Sequence, residues 1–202
     1  LNHNHHSRVY LELMTELITS DYCVVGAGII GLTTAEILVK LGANVTLIDS
    51  GFMRFNRNIQ SLNSGFTAPY GHWPQNNYAA TFSRIRAVGG SCMVWGKWCR
   101  EMDPWDFFQN NQCQTSWPIT FNELLPYYTE AKALIGLRTD TSSPNDNQDT
   151  IVSPLTISRI QFASDTLITD LLQGLAKFSN FRLVKGYTLT QFEFDNYHIS
   201  KA

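Results

Sequence analysis

The spacing of apolar residues changes between residues 22 and 41 from the pattern of a strand to that of a helix. Residues 22–25 form a continuous apolar run, which is typical of a parallel strand covered on both faces. Residues 29–41 place apolar side chains at helical spacing, which predicts a helix packed on a sheet. The residues expected at that contact are Ile30, Ala35, Leu38 and Leu41.

A second apolar run follows this predicted helix closely. Gly42 is placed to end the helix as a left-handed residue, and residues 44–48 predict the next strand. A strand, a helix and a strand within about 30 residues form a βαβ unit. Its two strands are parallel and are joined by a right-handed crossover.

The rest of the chain alternates between periodic and irregular segments. The remaining predicted helices cover residues 10–19, 121–136 and 164–178. The predicted irregular segments are 52–83, long enough to cover a ligand, and the polar linker 138–154. After residue 180 we predict two or three strands, separated by Gly186 and by the turn signal Asp195–Asn196.

Composition narrows the function classes. Apolar residues make up 44% of the chain and charged residues 16%, which is typical of a globular protein. The net charge of -2 provides no basic surface, so we predict no nucleic-acid partner. The longest apolar runs are short and contain glycine, so we predict no membrane span. No signal peptide is recognised in this chain, so a cytoplasmic location is predicted.

Cysteine and histidine spacing predicts no metal site. The cysteines are Cys23, Cys92, Cys99 and Cys113. None of them forms a CxxC pair, and two lie in apolar runs, so buried free thiols are expected. The histidines of the N-terminal leader, His3, His5 and His6, are expected to belong to a polar, frayed segment rather than to a metal site.

The junction between the first strand and the helix carries the motif G-x-G-x-x-G. Its first glycine permits a tight turn, its second lets the backbone approach a pyrophosphate, and its third lets helix and strand pack closely. Asp49 ends the second strand, where a carboxylate accepts hydrogen bonds from ribose hydroxyls and repels the 2′-phosphate of NADP. The residues predicted to bind a dinucleotide are Gly26, Ala27, Gly28, Ile29, Ile30, Gly31, Asp49 and Ser50. This unit does not distinguish FAD from NAD.

A second glycine-rich segment, residues 87–98, reads AVGGSCMVWGKW and contains a single charge. Gly89 and Gly90 remove side chains where a flat ring or a diphosphate approaches the backbone. Met93, Val94 and Trp95 offer apolar surface to such a ring, and their N–H groups can serve its polar edge. An apolar loop packed in a protein core has the same composition, so the segment alone leaves both interpretations open.

With its neighbours, this segment resembles the glucose–methanol–choline (GMC) oxidoreductase family, most closely the sugar and polyol dehydrogenase and pyranose oxidase branch. The similar segments are 86–96, 99–100, 103–107, 117–119, 125–128, 130–131 and 180–194. They stand in the family's order, and the resemblance extends from about residue 20 to the end of the chain. Because a Gly-Gly-Ser loop runs beside FAD in that family, the resemblance implies a flavoprotein.

The resemblance also implies which residues contact FAD. They are Gly89, Gly90, Ser91, Cys92, Met93, Val94, Trp95 and Gly96 in the loop, and Leu189, near which a backbone group would meet the adenine. Val94 stands where relatives often carry a histidine that in some attaches the flavin, so non-covalent FAD is expected. Trp95 stands where other members have an asparagine, so the polar contacts of the loop are expected to differ. Cys92 has no histidine or lysine nearby and is expected to pack rather than react.

Members of the GMC family transfer hydride from a carbinol carbon to the flavin, while a histidine paired with a second histidine or an asparagine removes the hydroxyl proton. That pair lies near the family's C-terminus, and neither His72 nor His198 matches it. We therefore assign no catalytic residue. The chain is expected to be a truncated or split part of a larger enzyme, or to need a partner chain, with a sugar, polyol or alcohol as substrate.

The predicted fold is α/β, an incomplete Rossmann-like FAD-binding βαβ domain with the start of a helical or α+β cap or substrate domain. The predicted divisions are a leader (1–19), the first part of the FAD-binding domain (20–118), a helical insertion and linker that begin the substrate domain (119–179), and strands returning to the FAD-binding domain (180–202). Two alternatives remain open. One is a non-catalytic FAD- or dinucleotide-binding fragment that needs a partner chain. The other is an NAD-binding Rossmann protein, which gives the loop at 87–98 no role.

Overall fold

The computed structural model describes residues 18–65, 81, 83–108, 116–137, 150–152, 155–157, 160–195 and 198–201. Its helices are α1 (Ile29–Lys40), α2 (Arg57–Gln60), α3 (Phe121–Leu134) and α4 (Leu167–Leu175). Its strands are β1 (Tyr22–Val25), β2 (Val45–Asp49), β3 (Trp98–Cys99), β4 (Thr150–Val152), β5 (Leu155–Ile157), β6 (Gln161–Phe162), β7 (Phe181–Lys185), β8 (Glu193–Asp195) and β9 (His198–Lys201). Short 3-10 helices cover Ser61–Asn63, Gly90–Met93 and Pro104–Phe107. The chain divides into two compact units, Leu1–Met93 with Leu171–Ala202, and Val94–Asp170.

A parallel sheet organises the first unit. Its strand order is β1-β2-β7, and β2 pairs in parallel with both neighbours. The central position of β2 buries Val45, Thr46 and Leu47. The predicted parallel βαβ unit is therefore confirmed, with β2 beginning and ending one residue later than predicted.

Helix α1 covers the connection between β1 and β2, as predicted, but its buried stripe differs from the predicted one. The fully or nearly buried residues are Leu32, Ala35 and Val39, which follow the helical spacing i, i+3, i+7. The expectation for Ala35 is confirmed, and Leu38 is half-buried. The expectation for Ile30 and Leu41 is wrong, since both are more than three-quarters exposed.

The C-terminal end of α1 is fixed by a glycine and by a distant asparagine. Gly42 adopts φ +92°, the left-handed conformation predicted for it. Beyond it, the side-chain amide of Asn180 donates hydrogen bonds to the carbonyls of Val39 (3.1 Å) and Ala43 (2.7 Å). Asn180 directly precedes β7, so this contact ties the third strand to the end of the helix.

Strand β1 departs from the expectation that both of its faces are covered. Tyr22, Cys23 and Val25 are exposed, and Val24 is half-buried. Among the described residues, β1 pairs only with β2 and so stands at the edge of the sheet. A continuous apolar run identified the strand correctly, but apolar composition by itself does not specify which face meets the core.

The segment predicted as irregular after β2 contains a short ordered turn. Asn56 caps α2, its side chain accepting hydrogen bonds from the N–H groups of Asn58 (2.9 Å) and Ile59 (3.2 Å). The 3-10 turn at Ser61–Asn63 continues it. Residues 66–80 of the same segment lie outside the described part of the chain, as does most of the helix predicted over 10–19.

The second unit combines α3 with short antiparallel pairs. α3 begins at a capping box in which Glu123 accepts from the N–H of Thr120 (2.7 Å), and beyond its end Gly136 is left-handed. The hydrogen bond from Thr120 lowers the pKa of Glu123. The helix predicted over 121–136 is confirmed, two residues shorter at its end.

Two strand pairs of this unit were not predicted. β3 pairs with β6, and β4 pairs with β5 as a hairpin. The hairpin corrects the prediction of a linker over 138–154, because residues 150–152 are a strand. Its strands have three residues each, too short for an alternating pattern to be recognised.

The C-terminal region forms three strands, as predicted, and Gly186 (φ +79°) ends the first of them. β7 joins the parallel sheet, while β8 and β9 form a separate antiparallel pair. The helix predicted over 164–178 is present as the shorter α4. His198 lies in β9, and His72 lies outside the described residues.

Candidate functional site

The loop between β1 and α1 has the backbone geometry of a phosphate cradle. Gly26 adopts φ +97°, and its N–H continues the parallel ladder with a 2.7 Å hydrogen bond to the carbonyl of Ile48. Gly28 is the N-terminal cap of α1 and makes no side-chain cap hydrogen bond, and the first turn holds no acidic residue. The N–H groups and the positive end of this helix are therefore available to an anion.

The three glycines of the motif serve different purposes in this geometry. A Cβ at Gly31 would lie 1.9 Å from the carbonyl oxygen of Gly26, so this glycine is required by the fold itself. A Cβ at Gly28 would meet no atom within 4 Å. The open space above Gly28 suits a group such as a diphosphate, while the closed space at Gly31 brings the helix against the strand.

Asp49 uses both of its carboxylate oxygens to hold backbone around this loop. Its Oδ2 accepts from the N–H of Ala27 (2.7 Å) and its Oδ1 from the N–H of Gly51 (2.7 Å). Each oxygen retains a further lone pair for a ligand hydroxyl. Asp49, predicted to bind the ribose, thus also fixes the glycine loop to the end of β2, a role that the sequence motif did not indicate.

The two glycine-rich segments of the sequence meet in the structure. The N–H of Gly89 donates a 2.7 Å hydrogen bond to the carbonyl of Ala27, and Gly28 and Gly89 form an isolated parallel bridge. A Cβ at Gly90 would lie 3.5 Å from the Cα of Gly28. Gly89 (φ +99°) and Gly90 (φ +56°) adopt the left-handed backbone conformation that favours glycine.

A cavity of about 410 Å³ opens where these segments meet. It is lined by Val24, Val25, Gly26, Gly28, Ile29, Ile30, Gly31, Thr34, Gly89, Ser91 and Cys92. Eight of these are residues that the sequence predicted to bind a dinucleotide. The cavity is mainly apolar with glycine backbone at its centre, which is the character of a cofactor site.

The other predicted site residues have different surroundings. Ala27 is fully buried under the loop, and Ser50 accepts a 3.1 Å hydrogen bond from the guanidinium of Arg86. Met93 and Val94 are more than half exposed, and Trp95 is half-buried. Val94, Trp95 and Gly96 belong to the second unit. Within the apolar segment, residues 87–89 are buried, whereas Ser91, Met93, Val94 and Gly96 are exposed.

Beyond β7 the chain passes next to Asp49. The N–H of Gly186 donates to the carbonyl of Gly51 (3.0 Å), and the N–H of Tyr187 donates to that of Asp49 (3.2 Å). Leu189 follows and is half-buried. Gly51 also lies so close to the loop that a Cβ there would be 2.6 Å from the N of Ala87. Close packing thus requires glycine at position 51, and the ring of Phe52, 2.8 Å from where a Cβ would lie, requires it at Gly186.

The cysteines do not follow the expectation of buried thiols. Cys23 is exposed, Cys92 and Cys99 are half-buried, and Cys113 lies outside the described residues. None of these three described cysteines forms a disulfide. Apolar neighbours in sequence do not bury Cys23, because β1 is the edge strand of the described sheet.

In the second unit the charged groups form ion pairs at the surface. Lys97, which adopts φ +59°, pairs with Asp165 and lowers the pKa of that carboxyl. Lys132 pairs with Glu101. Burial raises the pKa of Glu101, but the hydrogen bond and charge of Lys132, a backbone hydrogen bond and the charge of Arg100 together lower it below its ordinary value.

Comparison with known proteins identifies the cofactor. A family described as FAD dependent oxidoreductase matches residues 21–150, which include both glycine-rich segments. The chain belongs to the FAD-dependent oxidoreductase family. The prediction of FAD is thereby confirmed, and the alternative of an NAD-binding protein is overturned.

Two curated relatives resemble this FAD-dependent oxidoreductase. The fructose dehydrogenase large subunit of Gluconobacter japonicus is 27% identical over 172 residues, which cover 70% of this chain and 31% of the relative. The 6‴-hydroxyparomomycin C oxidase of Streptomyces lividus is 28% identical over 129 residues, which cover 58% of this chain and 23% of the relative. The chain thus spans less than a third of the length of either relative.

The described residues of this FAD-dependent oxidoreductase fit the cofactor. The uncapped N-terminus of α1, the open space at Gly28 and the free lone pairs of Asp49 match a diphosphate followed by a ribose. In the described part of the chain, no helix is long and apolar enough to cross a membrane. The same residues contain no cluster of three or more histidine, cysteine, aspartate or glutamate side chains that would hold a metal ion.

Proposed function

We propose that this chain is the FAD-binding part of a GMC-type oxidoreductase that oxidises a CH–OH group of a sugar, polyol or alcohol. The observation that carries the proposal is the hydrogen bond between Gly89 N–H and the carbonyl of Ala27. It joins the general dinucleotide motif to the segment through which the sequence resembles the GMC family. Alone, the first segment could be a simple tight turn and the second a loop packed in a core. Their juxtaposition around one cavity favours a single extended ligand.

Each part of the site has a separate task in this proposal. The N-terminus of α1 binds the diphosphate, with Gly28 leaving the space and Gly26 shaping the turn. Asp49 accepts hydrogen bonds from the ribose hydroxyls while it holds Ala27 and Gly51. The segment from Gly89 through Gly96 lies along the flavin, and the backbone near Leu189 meets the adenine. Bound FAD supplies the acceptor for a hydride.

The substrate class rests on the sequence motifs and on the names of the relatives. Residues 86–96 resemble the sugar and polyol branch of the GMC family, and one relative is named a fructose dehydrogenase. The other relative is named an oxidase of 6‴-hydroxyparomomycin C. We propose a hydroxyl of a sugar or polyol on these grounds, and non-covalent FAD because Val94 has no nucleophilic side chain.

We further propose that the catalytic pair of the family, a histidine with a second histidine or an asparagine, is supplied by further chain or by a partner chain. The relative named a large subunit supports the second source. In this scheme residues 20–118 and 180–202 belong to the FAD-binding domain, and residues 119–179 begin the cap or substrate domain.

Absorption spectroscopy of the purified full chain tests the proposal in two steps. A flavin spectrum after purification or after addition of FAD is expected, and the Gly28→Ala variant is the matched control, which should bind FAD at least about 100-fold more weakly. Anaerobic addition of a panel of sugars, polyols and alcohols should then bleach the flavin band. A wild-type chain that binds no flavin would overturn the proposal. Flavin that binds but is bleached by no substrate would favour the non-catalytic fragment.

A further inference from the structure

Gln60 is one of two polar or charged residues in the described part of the chain that are buried, with 4% of its surface exposed. Its amide nitrogen donates hydrogen bonds to the carbonyls of Thr81 and of Arg84 (2.7 Å). Its amide oxygen accepts from the N–H of Arg86 (2.9 Å). One side chain therefore satisfies one backbone group each of Thr81, Arg84 and Arg86, which is the kind of complete pairing that a buried amide requires. We call residues 83–86 the turn.

The neighbouring side chains secure the same turn from the surface side. Asn63 donates to the carbonyl of Arg84 (2.9 Å) and accepts from Arg86 Nε (2.6 Å), and Arg86 Nη1 donates to Ser50 Oγ (3.1 Å). The turn is thus tied both to α2 and its 3-10 extension and to the end of β2. We call Gln60, Asn63 and Arg86 the turn clamp.

The turn held by the clamp leads directly into the Gly89 segment, which contacts the glycine loop. The N–H of Ile85 donates to Ser91 Oγ (3.3 Å), and Ser91 lines the cavity. Val88 N–H donates to the carbonyl of Phe52 (3.1 Å), and Gly89 N–H to that of Ala27 (2.7 Å). A shift of the turn would therefore move Ser91 and the residues after it, while Gly26, Gly28 and Asp49 keep contacts of their own.

We propose that Gln60 is a positioning residue for the flavin half of FAD, acting through the turn clamp on the Gly89–Met93 segment. This inference rests on the proposed function. It divides the site into two parts that respond to different residues. The glycine loop and Asp49 bind the adenosine diphosphate half. The clamped segment sets the flavin half, and Gln60 touches neither half itself.

The test compares binding of FAD and of ADP to the full chain, by fluorescence titration and calorimetry. In Gln60→Glu, a carboxylate oxygen replaces the amide nitrogen opposite the carbonyls of Thr81 and Arg84, so that two attractive contacts become repulsive. We expect the Kd for FAD to rise about tenfold or more, because the segment that sets the flavin half loses the contacts that hold it. A tenfold change corresponds to about 1.4 kcal/mol. The Kd for ADP is expected to change less than about twofold.

Asn58→Asp is the matched control, because Asn58 is an exposed amide on the same helix and the change adds the same charge. It should leave both constants unchanged. The visible circular dichroism of FAD bound at saturation gives a second readout, which should differ from wild type in Gln60→Glu only. If Gln60→Glu does not fold, Asn63→Ala removes one side of the clamp and should give a smaller change in the same direction.

Three results would overturn the inference. Equal loss of ADP and FAD affinity would show a general structural role, and unchanged FAD affinity with an unchanged spectrum would show no role. FAD binding by the wild-type chain is the separate test of the proposed function, so its absence would remove both proposals together. If the wild-type chain binds FAD and the Gln60 and Asn63 variants bind it equally well, only the positioning role of Gln60 is refuted.

Discussion

Alanine substitutions at two glycines of the motif should have different effects, since one should lower the stability of the fold and the other should weaken ligand binding. In Gly31→Ala the new Cβ would lie 1.9 Å from the Gly26 carbonyl oxygen and 3.1 Å from its carbon, whereas real Cβ atoms stay beyond 3.0 Å of such neighbours. The helix and the loop would have to separate by more than about 1 Å. In Gly28→Ala the Cβ meets nothing within 4 Å, and the backbone has a φ of -75° that alanine adopts without strain.

The expected cost of Gly31→Ala is about 3 kcal/mol, at the upper end of the range for overpacked sites, because the atom it meets is backbone that cannot rotate away. For a chain of this length about 1 kcal/mol shifts the melting temperature by about 2–4 °C, so a decrease of roughly 6–12 °C is expected. Gly28→Ala should leave the melting temperature of the cofactor-free chain within about 2 °C of wild type.

Thermal unfolding of the cofactor-free chain, followed by far-UV circular dichroism, measures the first effect. Titration with ADP and FAD measures the second, since the Gly28→Ala methyl group occupies the space assigned to the diphosphate. We expect Gly28→Ala to lower affinity for both ligands at least about 100-fold, which corresponds to roughly 2.7 kcal/mol. An undiminished melting temperature in Gly31→Ala would refute the packing argument. Undiminished ADP and FAD affinity in Gly28→Ala would refute the placement of the diphosphate.

Three further predictions follow from the contacts described above. Asp49→Asn retains only one of the two acceptors, so we expect a loss of about 1–3 kcal/mol in chemical denaturation and about tenfold weaker FAD binding; unchanged values would contradict its double role. The pKa of Glu101 is lowered in the folded chain, so its pairing with Lys132 stabilises the fold above the ordinary carboxyl pKa and loses this effect as the pH falls through the folded pKa. The difference in unfolding free energy between wild type and Lys132→Met should therefore shrink on acidification. A pH-independent difference would count against the pairing. Because Val94 offers no attachment point, acid precipitation of the flavin-loaded chain should leave the flavin in the supernatant, and flavin retained in the pellet would show a covalent link.

Much of the first unit was predictable because its signals are local. A βαβ unit is determined by a change in apolar period over a short stretch, and Gly42 ends α1 for a reason that lies in its own backbone. Gly26, Gly28 and Gly31 were assigned to the cofactor by spacing alone, and the cavity brings them together with Gly89. The prediction of the buried residues of α1 was less accurate, because helical spacing gives a period but does not say which of two adjacent stripes meets the sheet.

Contacts between segments distant in sequence could not be predicted in the same way. The hydrogen bonds of Gln60 to residues more than 20 positions away have no sequence pattern, and a glutamine in a one-turn helix is ordinarily a surface residue. Gly51 and Gly186 resemble any loop glycine until the β2, β7 and 86–89 segments are seen to cross at one place. The short pairs β3–β6 and β4–β5 likewise depend on partners rather than on their own composition.

The sequence by itself therefore determined the βαβ unit, the dinucleotide motif and, through the resemblance of residues 86–96, the choice of a flavin. Each of these depends on residue types at fixed short separations, which backbone stereochemistry and helix or strand period translate directly into structure. Only the tertiary structure decided that Gly89 donates a hydrogen bond to Ala27, that Asp49 holds the glycine loop, and that Gln60 fixes the turn that precedes the Gly89 segment. Those contacts form because buried backbone donors and acceptors must find partners, and the fold alone determines which partners are within reach.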